Sequence, residues 1–171
     1  MQKEITLGQM DLPNYRNVQL TILVILRVLI GWHFLYEGVV KLLSPYWSSV
    51  GYLLEAKGIF SGLFNWITAS STAIRVVDFL NIWGLIAIGL GLILGCLTRA
   101  ASIAGIILLG LYYVANPPFV GFKYSFPTEG SYLIVNKNLI EIFALAVLTV
   151  FPTGKIIGLD RLIFYKKKSA G

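Results

Sequence analysis

From residue 18 to residue 43 the chain is almost continuously apolar, VQLTILVILRVLIGWHFLYEGVVKLL, until Ser44 and Pro45 interrupt it. A helix needs about 20 such residues to cross a hydrocarbon core of about 30 Å, so this run predicts a first membrane span. Tyr46 and Trp47 follow at the position of an interfacial aromatic belt. Comparable runs predict further spans at about 74–97, 99–116 and 132–151. The third ends at Asn116 because Pro117 and Pro118 cannot continue a helix. Between the first two runs, "YWSSVGYLLEAKGIFSGLFNWITASST" is broken by Gly51, Gly58 and Gly62 yet rich in aromatic residues, which predicts one or two short interfacial helices over 46–70. Residues 119–131 read as a loop, and 153–171 as a short amphipathic, basic tail. The expected fold is all-α: an integral membrane four-helix bundle with interfacial helices after the first span, forming one transmembrane domain over 1–171. Gly91 with Gly95, and Ala101 with Gly105, place small residues four apart and predict close approach of the second and third spans.

Composition strengthens the membrane assignment and removes several chemistries. Of 171 residues, 57% are hydrophobic and only 13% charged, and the mean hydropathy is +0.77, a balance that a water-soluble domain does not carry. The one cysteine, Cys96, excludes an internal disulfide and a Cys-x-x-Cys pair. The one histidine, His33, excludes bis-histidine haem in a single chain, and no cluster has zinc or iron spacing, so neither metal nor haem is expected. Much of the net charge of +6 lies in Lys166, Lys167 and Lys168 beside a span, which fits anionic lipid headgroups and not nucleic acid. Glu4, Asp11 and Pro13 interrupt the first residues, so a cleavable leader is not expected. Lys3, Arg16, Arg99, Lys155, Arg161 and the tail lysines fall on one side of the predicted spans. The positive-inside rule then puts both termini in the cytoplasm of a bacterial inner membrane and the longer loops outside.

The ionisable residues inside the spans are the candidate chemistry. At about 100° per residue, Arg27, His33, Glu37 and Lys41 share a stripe about a third of the first helix wide. Exposing each to lipid would cost about 2.5–3.5 kcal/mol, so the stripe must face protein or a wet cavity. Glu37 and Lys41 also form an i, i+4 pair, and Lys41 can snorkel to the surface. His33, one turn before Glu37, is a candidate to hydrogen-bond it. The other spans supply Arg75, Asp78 and Asn81, then Asn116, then Asn136, Lys137, Asn138 and Glu141, all in the predicted outer half. Arg27, Lys41, Arg75 and Lys137 are the cations available to Asp78 and Glu141. Trp32, Tyr36, Trp83, Tyr112 and Tyr113 surround this layer with aromatic surface suited to a flat ring. Either a salt-bridged lock between helices or a ligand site produces such a pattern. Quinone fits the second: it is flat and membrane-soluble, and its reduction needs protons that Glu37, His33 or Glu141 can relay.

"LRVLIGWHFLYEGVVKLL", the hairpin "GLIAIGLGLILGCLTRAAS", "NKNLIEIFALAVL" and the closing "GLDRLI" together resemble the DoxX/DoxD family of small four-helix membrane proteins. Arg27, Glu37, Lys41, Asp160 and Arg161 match its general pattern. Some members resemble the membrane subunit of thiosulfate:quinone oxidoreductase, so the resemblance implies a quinone-linked redox subunit. The expected site has Glu37, His33 and Glu141 as proton-handling residues, with Arg27, Lys41, Arg75, Asp78, Trp83, Tyr113, Asn116 and Asn138 around the quinone. The electron source would be a small reductant or an extracytoplasmic partner protein. The competing readings are a non-enzymatic membrane anchor for such a partner and a small-anion carrier, which would need a homo-oligomer to build a path.

Overall fold

The computed structural model describes residues 17–125 and 133–164. Lys3, Glu4, Asp11, Pro13, Arg16, Ser131, Tyr132 and the tail lysines lie outside the described residues.

Every regular element among the described residues is helical: α1 Asn17–Leu43, α2 Val50–Leu54, α3 Ser61–Thr68, α4 Ser71–Leu94, α5 Thr98–Ala115, α6 Lys137–Val150 and α7 Asp160–Phe164, with a 3-10 turn at Thr153–Lys155. α1 shows why the first run folds as it does. Its buried residues, Arg27, Ile30, Gly31, Phe34 and Gly38, recur every three or four positions, the signature of one helical face. Val18, Ile22, Ile25, Leu29, Trp32 and Tyr36 lie exposed on the remaining surface, apolar side chains that lipid accommodates. α4 starts a turn earlier than its hydropathy predicts because Ser70 caps it, Oγ accepting from the Ala73 N–H at 3.3 Å. It stops at Gly95, whose φ of +65° gives the left-handed C-terminal turn that glycine adopts without steric penalty.

α1, α4 and α5 are long and apolar enough to cross a membrane. The expected fourth span is shorter than its hydropathy indicated. Asn136 starts α6, its Oδ1 accepting from the Leu139 N–H at 3.0 Å, and the 14 helical residues extend only about 21 Å at about 1.5 Å per residue. α6 nevertheless packs against α5 and α1, while α4 packs against α1 and α5. Phe34, Leu85, Leu92, Leu109, Leu145 and Leu148 fill the centre of this ring of four.

The closest approach is between α1 and α4, not between α4 and α5. A Cβ at Gly89 would lie 2.5 Å from the Leu35 amide nitrogen and 2.7 Å from the Gly31 carbonyl oxygen, so the two backbones touch there. Gly91 does meet α5, at Ala101, but Gly105 faces Leu145 of α6 and Gly95 serves as a helix terminator. Two short helices form where one or two were expected. They dock on one end of the bundle through Leu53, Ala56, Phe64, Ile74 and Ala115. At the other end, the chain before α7 binds the α4–α5 turn, the Leu159 and Asp160 N–H groups donating to Leu94 and Gly95 carbonyls at 3.0 and 2.8 Å.

Candidate functional site

At the α2–α3 end lies a cavity of about 990 Å³, lined by residues of α1, α4, α5, the start of α6, both short helices and the 117–125 loop. Its wall is mostly apolar, with Phe34, Leu53, Phe64, Leu85 and Leu109 prominent. α1 contributes His33, Glu37 and Lys41 because these lie on the flank of its buried face, one helical turn apart. α4 contributes Asn81, α5 leads to Tyr112 and Asn116, and the capped start of α6 supplies Asn136, Lys137 and Asn138.

The pairing within this layer differs from expectation in two places and agrees in a third. His33 bonds across the bundle and not along its own helix: its Nδ1 lies 2.8 Å from Glu141 Oε1 on α6. A carboxylate acceptor assigns the proton to Nδ1. Asp78 is satisfied without a cation, since Ser49 donates to its Oδ1 from both N–H, at 2.8 Å, and hydroxyl, at 2.5 Å. Lys41 does pair with Glu37, at 2.8 Å, and lies over the Trp47 ring at 5.6 Å, so it is packed and only 16% exposed.

Arg27 is absent from the cavity wall. It is 2% exposed and occupies the opposite end of the bundle, its Nη1 donating to Thr153 Oγ1 at 3.1 Å. The reason is height along the helix. Fourteen residues separate it from Lys41, about 21 Å of rise, too far for both to reach one site. Around it, Asp160 accepts from the Leu97 and Thr98 N–H groups, at 2.6 and 3.0 Å, and from the Thr98 hydroxyl at 2.7 Å. These bonds cap α5 and hold Leu97 at a φ of 49°. Arg75 is exposed, its Nε donating to the Ser71 carbonyl of its own helix at 3.3 Å. Trp83 is 48% exposed and packs beside Phe79, while Trp32 and Tyr36 face outward. Tyr113 donates its hydroxyl to the Ile134 carbonyl at 2.8 Å. Arg75, Asp78, Trp83 and Tyr113 are thus near the layer in sequence reasoning but not on the cavity wall.

A second polar unit was not foreseen. Asn81 Nδ2 donates to the Tyr112 hydroxyl at 2.6 Å, Tyr52 donates to the Tyr112 carbonyl at 3.0 Å, and Asn116 Nδ2 donates to the Tyr52 carbonyl at 3.1 Å. All four residues line the cavity. Burial pushes the Tyr52 hydroxyl above its ordinary pKa, partly offset by Asn116. Asn81 and Asn116 were visible as polar residues in apolar runs, but nothing in the sequence marked Tyr52 as their partner. The loop beyond α5 is tied over this end by Lys57 and Glu55. Lys57 donates its N–H to the Ala115 carbonyl at 3.0 Å, contacts the Lys123 carbonyl through Nζ and sits 4.7 Å from the Tyr124 ring centre. Glu55 accepts from the Ser125 N–H at 2.7 Å, which holds its carboxyl below the usual range.

Chemically, the site offers a mostly apolar, aromatic-walled space with an ion pair, a histidine–carboxylate pair and an amide–phenol unit at its polar edge. The family model named DoxX matches residues 22–116, from α1 through the Asn116 that ends α5. No curated protein and no solved structure matches the chain. That match covers more than half of the sequence and the α1 to α5 part of the cavity wall, and the all-helical fold with three membrane-length helices agrees with it: the chain belongs to the DoxX family of membrane proteins.

Proposed function

We propose that the chain is a membrane redox subunit that binds a quinone in the cavity at the α2–α3 end and passes electrons to it from an extracytoplasmic donor or partner. The cavity carries this reading. Its volume of about 990 Å³ is at the upper end of ligand pockets, commonly about 300–1,000 Å³. Its composition, apolar and aromatic with a few convergent polar groups, suits a flat ring on an apolar tail. Lys41, the Tyr112 hydroxyl and the side-chain amides are the wall's candidate hydrogen-bond donors to ring oxygens. His33, held by Glu141, and Glu37, held by Lys41, are proton-holding groups at the edge. Bound quinone would supply two-electron, two-proton acceptor chemistry. The proposed setting is the bacterial inner membrane with both termini cytoplasmic, which places the cavity toward the outer face.

Reconstituted protein should bind a short-chain ubiquinone or menaquinone analogue saturably. Glu37→Gln and His33→Gln should each weaken that binding about tenfold, and Arg75→Gln, outside the wall, should leave it unchanged. Absence of saturable binding in a folded sample would sink the proposal. A second reading, a non-enzymatic anchor for an extracytoplasmic complex, draws on the exposed apolar residues of α3 and its approach, with Ile59 at 96% and Trp66 at 70%. It predicts that Trp66→Glu abolishes co-purification of the partner while Glu37→Gln does not.

A further inference from the structure

The α4–α5 hairpin is tight near its turn and open toward the start of α4. Gly84 and Gly91 lie seven residues apart on α4 and so share one stripe of that helix. At Gly91 a Cβ would stand 3.1 Å from the Ala101 Cβ of α5, whereas at Gly84 it would meet nothing within 4 Å. The two helices part over that interval. Two long side chains cross the wider part, Asn81 reaching the Tyr112 hydroxyl at 2.6 Å.

The cavity runs out to the surface through this gap. Leu80 of α4, Ile107 and Leu111 of α5 and Leu63 of α3 all line the cavity, and each is more than half exposed. Residues that do both stand at a mouth, and the rim of this one is aliphatic. Leu80 lies nine residues inside α4 and Ile107 eight residues before the end of α5, about 12–14 Å of rise from the helix ends. Both helices are long and apolar enough to cross a membrane, so the mouth opens at the depth of hydrocarbon. The opposite edge of the cavity has other chemistry. Where α1 meets α6, His33 Nδ1 and Glu141 Oε1 lie 2.8 Å apart, and Glu37, Lys41 and Lys137 line the wall beside them. Those groups suit the polar ring of an amphiphile, whereas an alkyl tail laid against them would strip their solvation.

Resting on the quinone reading above, we infer that the cavity opens sideways into the bilayer between α4 and α5, and that its ligand is a long-tailed quinone whose ring faces the α1–α6 edge while its tail leaves through this mouth. Entry by this route keeps the tail in apolar surroundings throughout, so none of it passes through water. The site exchanges ligand with the membrane pool. The aliphatic rim supplies contacts to the tail that a tailless ring forgoes.

The test uses the full chain in lipid nanodiscs and two probes, dimethoxymethylbenzoquinone and its decyl derivative, each titrated against wild type and variants. Comparing proteins for one probe at a time cancels the partition of that probe into lipid. Gly84→Phe fills the gap and Leu80→Trp crowds its rim. Each should weaken binding of the decyl derivative at least tenfold and change that of the tailless ring less than twofold, which also reports that the ring site is still folded. Leu29→Trp, on the exposed face of α1 and outside the cavity wall, should alter neither. Decyl affinity held within twofold in both mouth variants, or equal loss of both probes in both, overturns the inference and leaves a quinone site standing. Saturable binding of neither probe to the wild-type chain overturns the quinone reading and this inference with it.

Discussion

At the scale of single residues, Asp160 explains more of the structure than any of the intramembrane charges that first attract notice. Its carboxylate takes two N–H groups and a hydroxyl at the start of α5, and it is 3% exposed. Asp160→Ala removes three acceptor contacts and is expected to lower stability by about 2–4 kcal/mol, read as thermal unfolding in detergent; an unchanged midpoint would show that the cap is dispensable. Glu55 works at the other end, and its effect depends on pH. Because the Ser125 N–H holds its folded pKa below the unfolded value, the tether is fully present above the unfolded carboxylate value and is lost as pH falls through the lower, folded one. The Ser125 amide shift in NMR should titrate with a midpoint below the ordinary glutamate range, and Glu55→Gln should abolish the titration. Both residues were visible in the sequence, but their partners were not. Asp160 bonds across a separation of 62 and 63 residues and Glu55 across 70, where no local spacing rule reaches.

At the scale of elements, the long helices were legible because their ends are written in local chemistry. Asn116 before two prolines ends α5 as expected, whereas the start expected near 132 missed the Asn136 cap of α6. The α1–α4 contact was not legible. Gly31 and Gly38 lie seven apart on α1 and read as two isolated glycines, and their meaning appears only when α4 is set against them, Gly89 at Gly31 and Leu85 with Ile86 at Gly38. The G-x-x-x-G pattern on α4, which did stand out, is split between a packing glycine and a helix terminator. Gly89→Ala should therefore destabilise by about 1–3 kcal/mol, because backbone atoms of Leu35 and Gly31 cannot move aside as a side chain would. Gly84→Ala on the same helix, where a Cβ meets nothing within 4 Å, should stabilise by about 0.5–1 kcal/mol. Equal effects at the two sites would contradict a backbone-to-backbone contact.

At the scale of the whole molecule, the polar residues divide between two ends with different work. The α7 end, with Arg27, Thr98, Thr153 and Asp160, is closed and holds the α4–α5 turn against the C-terminal segment. The α2–α3 end keeps a cavity and a loop tied across it. Sequence reasoning merged the two because it knew the azimuth of Arg27 and not what lay beside it. It located the cavity layer itself through His33, Glu37, Lys41, Asn116 and Asn138, since ionisable and amide groups in apolar runs must meet something. Their pairing depended on how α1 and α6 face one another. The central claim, that the α2–α3 end is a quinone site, is tested most directly by photolabelling the chain in nanodiscs with an azidoquinone and mapping the adducts by mass spectrometry. The account predicts adducts on cavity residues such as Tyr52, Phe64 and Tyr112, suppressed by an excess of unlabelled analogue. Adducts confined to outward-facing residues such as Trp32 and Tyr36, unaffected by that competitor, would contradict it.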